Sequence, residues 1–217
     1  MRSFILATAA LAAMVTAAPA AAKQGDWLVR LRAIVVAPNE SSSAVLPSFP
    51  GATVGVSTTV MPEIDFTYFA TNHIGFELIL ATTKHTITGQ GTLEPVGPLA
   101  STWVLPPTLT AQYHFTPDAK VRPYVGVGLN WTIVYSENAS DELVDAVGAT
   151  DVNLSNSVGV ALQAGIDIDL SPKVFMNFDI KYITMGTDAT LTTGALVNRV
   201  DVNVNPLVFG VGIGTRF

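Results

Sequence analysis

The sequence contains no cysteine, so neither a disulfide framework nor a thiolate metal site holds this chain together. Charge is scarce as well. Asp, Glu, Lys and Arg make up 13% of the residues, against roughly 25% in soluble domains, so much of the folded surface does not face water. What charge there is leans acidic, with a formal net charge of −6, and no basic block offers nucleic acid a partner. Beyond its first residues the chain has no apolar run near the ~20 residues that a spanning helix requires. The three histidines, His73, His85 and His114, are too scattered to suggest a metal site, and nothing points to a cofactor.

What is present begins with Arg2, an Ala-rich apolar segment over residues 4–18, and Ala20-Ala21-Ala22 before Lys23. A short basic region, a short apolar stretch and an A-x-A site read as a secretory signal that is removed. The expected organisation is a signal peptide over residues 1–22 and one domain over residues 23–217. The exported chain must find its stability without disulfides.

Period-two alternation runs through the remainder, which is the pattern of strands with one apolar face. Eight such stretches stand out, over residues 27–38, 61–70, 74–87, 104–115, about 124–133, 157–170, 174–185 and 199–217. The clearest sets Val125, Val127, Leu129, Trp131 and Ile133 against Tyr124, Gly126, Gly128, Asn130 and Thr132. In the eighth, Asn203 and Asn205 fall out of phase with its later half, which predicts a bulge near Pro206. The connections alternate long and short, with Gly-, Pro- and Thr-rich residues 88–101 read as one long loop. Within another, residues 140–148 carry an N-capping Ser140, early acids and a closing Gly148, the marks of a short helix.

An even number of strands with alternating short turns and long loops is the plan of an outer-membrane barrel. Eleven residues at ~3.3 Å each, tilted ~45°, cover roughly the 25 Å apolar band of such barrels. The expected fold is all-β: an eight-stranded antiparallel transmembrane barrel, up-and-down, with one short helix in an outer loop. The apolar parity also carries Trp27, Tyr68, Tyr113, Phe115, Trp131, Tyr135, Phe178 and Tyr182, aromatics suited to interfacial girdles. The expected location is the bacterial outer membrane, with lipid as a partner.

With short turns on the periplasmic side, each inward residue acquires a depth. The inner half receives Arg30, Arg32, Glu77, Gln112, His114, Asp167, Asp169, Asn177, Asp179, Lys181 and Arg216. Of these, Arg30, Arg32, Glu77, Gln112, Asp167, Asp179 and Lys181 are expected to form a paired polar network, because an unpaired buried charge costs several kcal/mol. The outer half receives Ile34, Val36, Ile79, Ala81, Val134, Ile183, Val204 and Val208. An apolar funnel lined by Ile34, Val36, Ile79, Val134, Ile183 and Val208 above a polar plug is a poor path for ions. It suits a small hydrophobic molecule that leaves sideways through the wall. Two other readings are a filled barrel acting structurally or as an adhesin, and a lipid-modifying barrel enzyme. The second needs a nucleophile and an orienting acid near outer-rim His85, where only Thr83 and Thr108 suggest themselves, so no catalytic residue is assigned.

The residue 27–38 strand, Leu105-Pro106-Pro107-Thr108-Leu109-Thr110-Ala111-Gln112-Tyr113-His114-Phe115, Arg122-Pro123-Tyr124-Val125-Gly126-Val127-Gly128 and Gly212-Ile213-Gly214-Thr215-Arg216-Phe217 together resemble the OmpW family. The resemblance covers nearly the whole chain after residue 22; members often carry an aromatic where Thr215 stands. It implies an eight-stranded outer-membrane barrel that passes small hydrophobic compounds, with lateral release into the bilayer and no catalytic residues to transfer. It also implies that the lipid-facing terminal set Phe209, Val211, Ile213 and Phe217 serves the barrel-assembly machinery as a recognition signal. Substrates differ among members, so the ligand does not carry over.

Overall fold

A computed structural model describes residues 23–217; the expected signal segment, residues 1–22, lies outside them. In chain order the strands are β1 (Trp27–Ala37), β2 (Ser41–Ser42), β3 (Ala52–Val56), β4 (Thr59–Phe69), β5 (Ile74–Ala81), β6 (Thr83–Gly91), β7 (Pro98–Leu105) and β8 (Thr108–His114). They continue as β9 (Val121–Ala139), β10 (Thr150–Leu154), β11 (Ser157–Asp169), β12 (Val174–Ile183), β13 (Gly186–Thr193), β14 (Leu196–Asn203) and β15 (Leu207–Arg216), with α1 (Asp141–Val147) before β10.

Eight of these form a closed antiparallel wall in the order β1-β4-β5-β8-β9-β11-β12-β15, and β15 pairs back with β1. Closure leaves no sheet edge, so the backbone groups of the wall can be satisfied within lipid. The alternation assigns the faces as the sequence predicts. Leu31, Leu129, Val158, Leu162 and Ile213 look outward into the bilayer, whereas Arg30, Arg32, Asp65 and Glu77 are sealed inside. Of the expected girdle, seven aromatics are exposed on the wall and Tyr182 is half-buried.

Register follows from charge as well as from hydrophobicity. Arg30 lies opposite Asp65 and Arg32 opposite Glu63, opposite charges on one face of an antiparallel pair. Glycine on the inward parity makes room for the larger side chains. A Cβ on Gly165 would stand 2.3 Å from the Tyr124 ring, and one on Gly214 2.3 Å from Phe175.

Above the wall the chain departs from eight simple strands. Residues 88–101, read from sequence as a loop, are largely hairpin: β6 runs to Gly91 and β7 starts at Pro98, around a short 3-10 turn at Glu94–Val96. The outer strands β6, β7 and β14 adjoin wall strands across a break. The 74–87 stretch splits at Thr82, 104–115 at Pro106-Pro107, and the eighth stretch at residues 204–206, where Asn205 takes a positive φ of 36°. The strand read over residues 124–133 is longer, and β9 reaches Ala139. Proline removes ladder donors at two of these breaks.

The extensions form two sheets, β3-β6-β7-β9 and β10-β13-β14-β2. Val45, Val54, Leu93, Leu99, Leu143, Val152, Leu154, Val200 and Val202 pack together inside them as a cap with its own apolar core. The expected helix is present as α1. Ser140 Oγ accepts from the Leu143 amide at 3.1 Å, and Gly148 ends the helix at φ 96°.

Candidate functional site

The barrel interior is divided into a polar plug below and an apolar cavity above. In the plug, Arg30 contacts Asp65 at 2.8 Å, Asp167 at 3.2 Å and Glu77 at 3.3 Å. Arg32 contacts Glu63 at 2.6 Å, Asp65 at 2.9 Å, Glu77 at 3.3 Å and Asp179 at 3.6 Å. Lys181 bridges Asp179 at 2.7 Å and Glu63 at 3.1 Å. Neutral groups add further bonds: Gln163 donates to Glu77 and Asp179, Tyr124 to Asp179, Thr110 to Glu77 and Asn177 to Asp167. Gln112 donates to Gln163 and stands 3.1 Å from His114 Nε2.

All seven residues expected in the polar network are therefore buried in one connected cluster. Sequence reasoning left Glu63, Asp65, Tyr124 and Gln163 out of it. All four lie on the inward parity, and the acids sit two residues apart, as do Arg30 and Arg32. That matching spacing on neighbouring strands was the available signal. Lower still, Phe175 lies under Arg30, Arg122 and Arg216 at 5.5–5.7 Å, and with Leu28 and Phe69 it closes the periplasmic end.

Above the plug lies a cavity of about 190 Å³, larger than the 150 Å³ engineered apolar void that accepts benzene. Ile34, Val36, Ile79, Val134, Ile183 and Val208 all line it. Ile34, Val36, Ile183 and Val208 also pack against one another. The lining continues upward to Leu143, Leu196 and Val200 in the cap. Lys181, placed by sequence in the inner half, instead reaches the cavity floor beside Glu63. Its backbone pairs in register with Val208, which pairs in turn with Val36.

The wall beside the cavity is interrupted. The β5–β8 ladder ends at Ile79 opposite Thr108, and the β6–β7 ladder begins at Thr83 opposite Val104. Between them Leu80, Ala81 and Thr82 face Leu105, Pro106 and Pro107 without ladder pairing. Ala81 and Pro106 line the cavity from the two sides of this break.

His85 also borders the cavity. Its Nδ1 lies 2.9 Å from the Ser57 carbonyl, which requires Nδ1 to carry a proton, and Nε2 is 3.0 Å from Thr83 Oγ1. Burial pushes its pKa below the ordinary value, opposed by the bond to Ser57. The Thr108 hydroxyl points elsewhere, to the Pro106 carbonyl at 3.0 Å. Phe209, Val211, Ile213 and Phe217 face outward from β15 and the residue after it, at 47%, 48%, 57% and 72% exposure.

Comparison with known proteins matches residues 23–217 to the family model described as "OmpW family". Outer membrane protein W of Vibrio cholerae is 35% identical over 220 residues, covering 100% of both chains. The dibenzothiophene metabolism operon protein PahQ of Pseudomonas aeruginosa is 28% identical over 207 residues, 93% of each chain. Among solved structures, the outer membrane protein OprG from Pseudomonas aeruginosa superposes with a TM-score of 0.85 at 29% identity, over 91% of this chain and 98% of its own.

Proposed function

The chain belongs to the OmpW family of bacterial outer-membrane barrels, and from that premise we propose that it admits small hydrophobic molecules through the cavity above the plug and releases them sideways into the bilayer. The single observation that carries this is an apolar cavity seated directly on a sealed, charged floor. A molecule entering from outside meets greasy walls and then a dead end. Moving on through the plug would mean separating ion pairs that are almost fully buried, at several kcal/mol each.

The interrupted ladder between Ile79–Thr108 and Thr83–Val104 supplies the exit in this proposal. Opening it sacrifices no ladder hydrogen bond, and Pro106 and Pro107 have no N–H to close it. The PahQ name, which refers to a metabolism operon for an aromatic sulfur heterocycle, is in keeping with an apolar cargo. An enzymatic role has less support, since both nitrogens of His85 are engaged by Ser57 and Thr83. In the same proposal, Phe209, Val211, Ile213 and Phe217 serve recognition by the barrel-assembly machinery.

Uptake of a hydrophobic solute by cells carrying Ile34→Arg or Val208→Arg tests the reading. Each places a long cation in the cavity, so uptake should fall at least several-fold while the barrel still migrates as folded. Unchanged uptake in folded variants would leave a filled, structural barrel as the better account.

A further inference from the structure

We infer that the cavity floor is a head-group site for a hydroxyl, so that the preferred cargo is a small apolar alcohol or phenol. The inference rests on the uptake proposal above and narrows its substrate class. Glu63 and Lys181 are the charged residues in the cavity lining, and each is 3% or less exposed. Both have hydrogen-bonding capacity left over. Glu63 takes its short contacts on Oε1, from Arg32 Nε at 2.6 Å and Lys181 Nζ at 3.1 Å, and Oε2 accepts from no described residue. The Lys181 ammonium has three protons and bonds two acceptors, Glu63 and Asp179.

A spare acceptor and a spare donor therefore stand side by side, held together by a 3.1 Å ion pair. A hydroxyl is the group that answers both, donating to Glu63 Oε2 and accepting from Lys181 Nζ. A hydrocarbon pressed against this floor displaces water from two polar groups and returns no hydrogen bond. A carboxylate is worse placed. The connected plug holds three cations, Arg30, Arg32 and Lys181, against five acids, Glu63, Asp65, Glu77, Asp167 and Asp179. A further negative head would add to an existing excess. An amine meets Glu63 favourably but is repelled by Lys181 beside it. Around the head group, Ile34, Ile183 and Val208 offer only carbon.

The test uses the folded protein in lipid nanodiscs, titrated with 4-ethylphenol, ethylbenzene, 4-ethylbenzoate and 4-ethylbenzylamine. Methyl shifts of Ile34, Ile183 and Val208 report occupancy, and each affinity is referred to the solute's partition into empty nanodiscs. We expect 4-ethylphenol to bind about tenfold more tightly than ethylbenzene, the ratio for one net hydrogen bond made to a charged group, and 4-ethylbenzoate to bind most weakly. Nuclear Overhauser contacts should place the ring protons beside the hydroxyl, not the ethyl group, against Val208 and Ile183. Glu63→Leu should abolish the phenol preference while ethylbenzene binds as before. If that variant does not fold, the orientation of 4-ethylphenol in the unaltered protein still decides the matter. Equal affinities for 4-ethylphenol and ethylbenzene, tighter binding of the acid or amine, or an ethyl-down orientation would overturn the hydroxyl site and leave uptake intact. If none of the four solutes moves the cavity methyls, the uptake reading itself fails.

Discussion

Removing Arg30 should show which acid the plug depends on it to neutralise. In Arg30→Met a fully buried guanidinium is replaced by a side chain that occupies similar space without charge. Three carboxylates lose a partner, but unequally. Asp65 keeps Arg32 at 2.9 Å. Glu77 keeps Arg32 at 3.3 Å and the bonds from Thr110 and Gln163 at 3.0 and 2.8 Å. Among the described residues, Asp167 keeps only the Asn177 amide at 2.8 Å. Breaking a buried ion pair from one side costs about 3–5 kcal/mol, and the stacking of Arg30 on Tyr124 and Phe175 is lost too, so a destabilisation near 4 kcal/mol is expected. Most of it should reside at Asp167. Adding Asp167→Asn to Arg30→Met should recover about 2 kcal/mol, because the stranded charge is gone. Adding Asp65→Asn should recover less than half as much. Urea unfolding in lipid vesicles, followed by tryptophan fluorescence, measures all four proteins. A loss below 1 kcal/mol in Arg30→Met, or equal recovery from the two second substitutions, would refute this partition.

Leu129 is 65% exposed on the lipid face, and Leu129→Arg should cost about 2–4 kcal/mol in bilayers; a neutral result would reverse the assignment of faces. Deleting Phe217 should lower the yield of assembled barrel in cells more than it lowers uptake per folded molecule, read by heat-modifiable gel migration beside a transport assay; normal assembly would count against the recognition role. Burial favours neutral His85, so its folded pKa lies below the unfolded value of ~6.5. Its contribution is complete above that value and is lost as pH falls through the folded pKa. The urea midpoint should accordingly drop between pH 7.5 and 5, and His85→Gln should flatten that part of the dependence.

How much of the fold and the cavity is legible in the sequence varies with the range of the interaction. Parity is local, so the inward Arg30 and Arg32 and the outward Leu129 and Ile213 come from period two alone. The helix at Asp141–Val147 is legible because its cap, Ser140, and its terminator, Gly148, are local too. The break at residues 204–206 shows as a phase slip around Asn205. The outer hairpins are hidden. Residues 88–101 and 186–198 are rich in Thr, Gly and small residues, and their strands exist because they pair with β3, β9 and β10, which sequence proximity does not reveal. The same limit conceals the cavity floor. Glu63 and Lys181 are 118 residues apart, and only barrel closure puts Lys181 within reach of Glu63.

The breaks at Thr82, Pro106-Pro107 and residues 204–206 bear on how such a chain can change over generations. A one-residue slip in a continuous strand turns every subsequent side chain to the opposite face, so an insertion among the outer hairpins would otherwise turn the wall inside out. Interrupted ladders confine that slip to the segment where it arises. The cap strands β6, β7 and β14 can gain, lose or exchange residues while the wall strands they adjoin, β5, β8 and β15, inherit an undisturbed register.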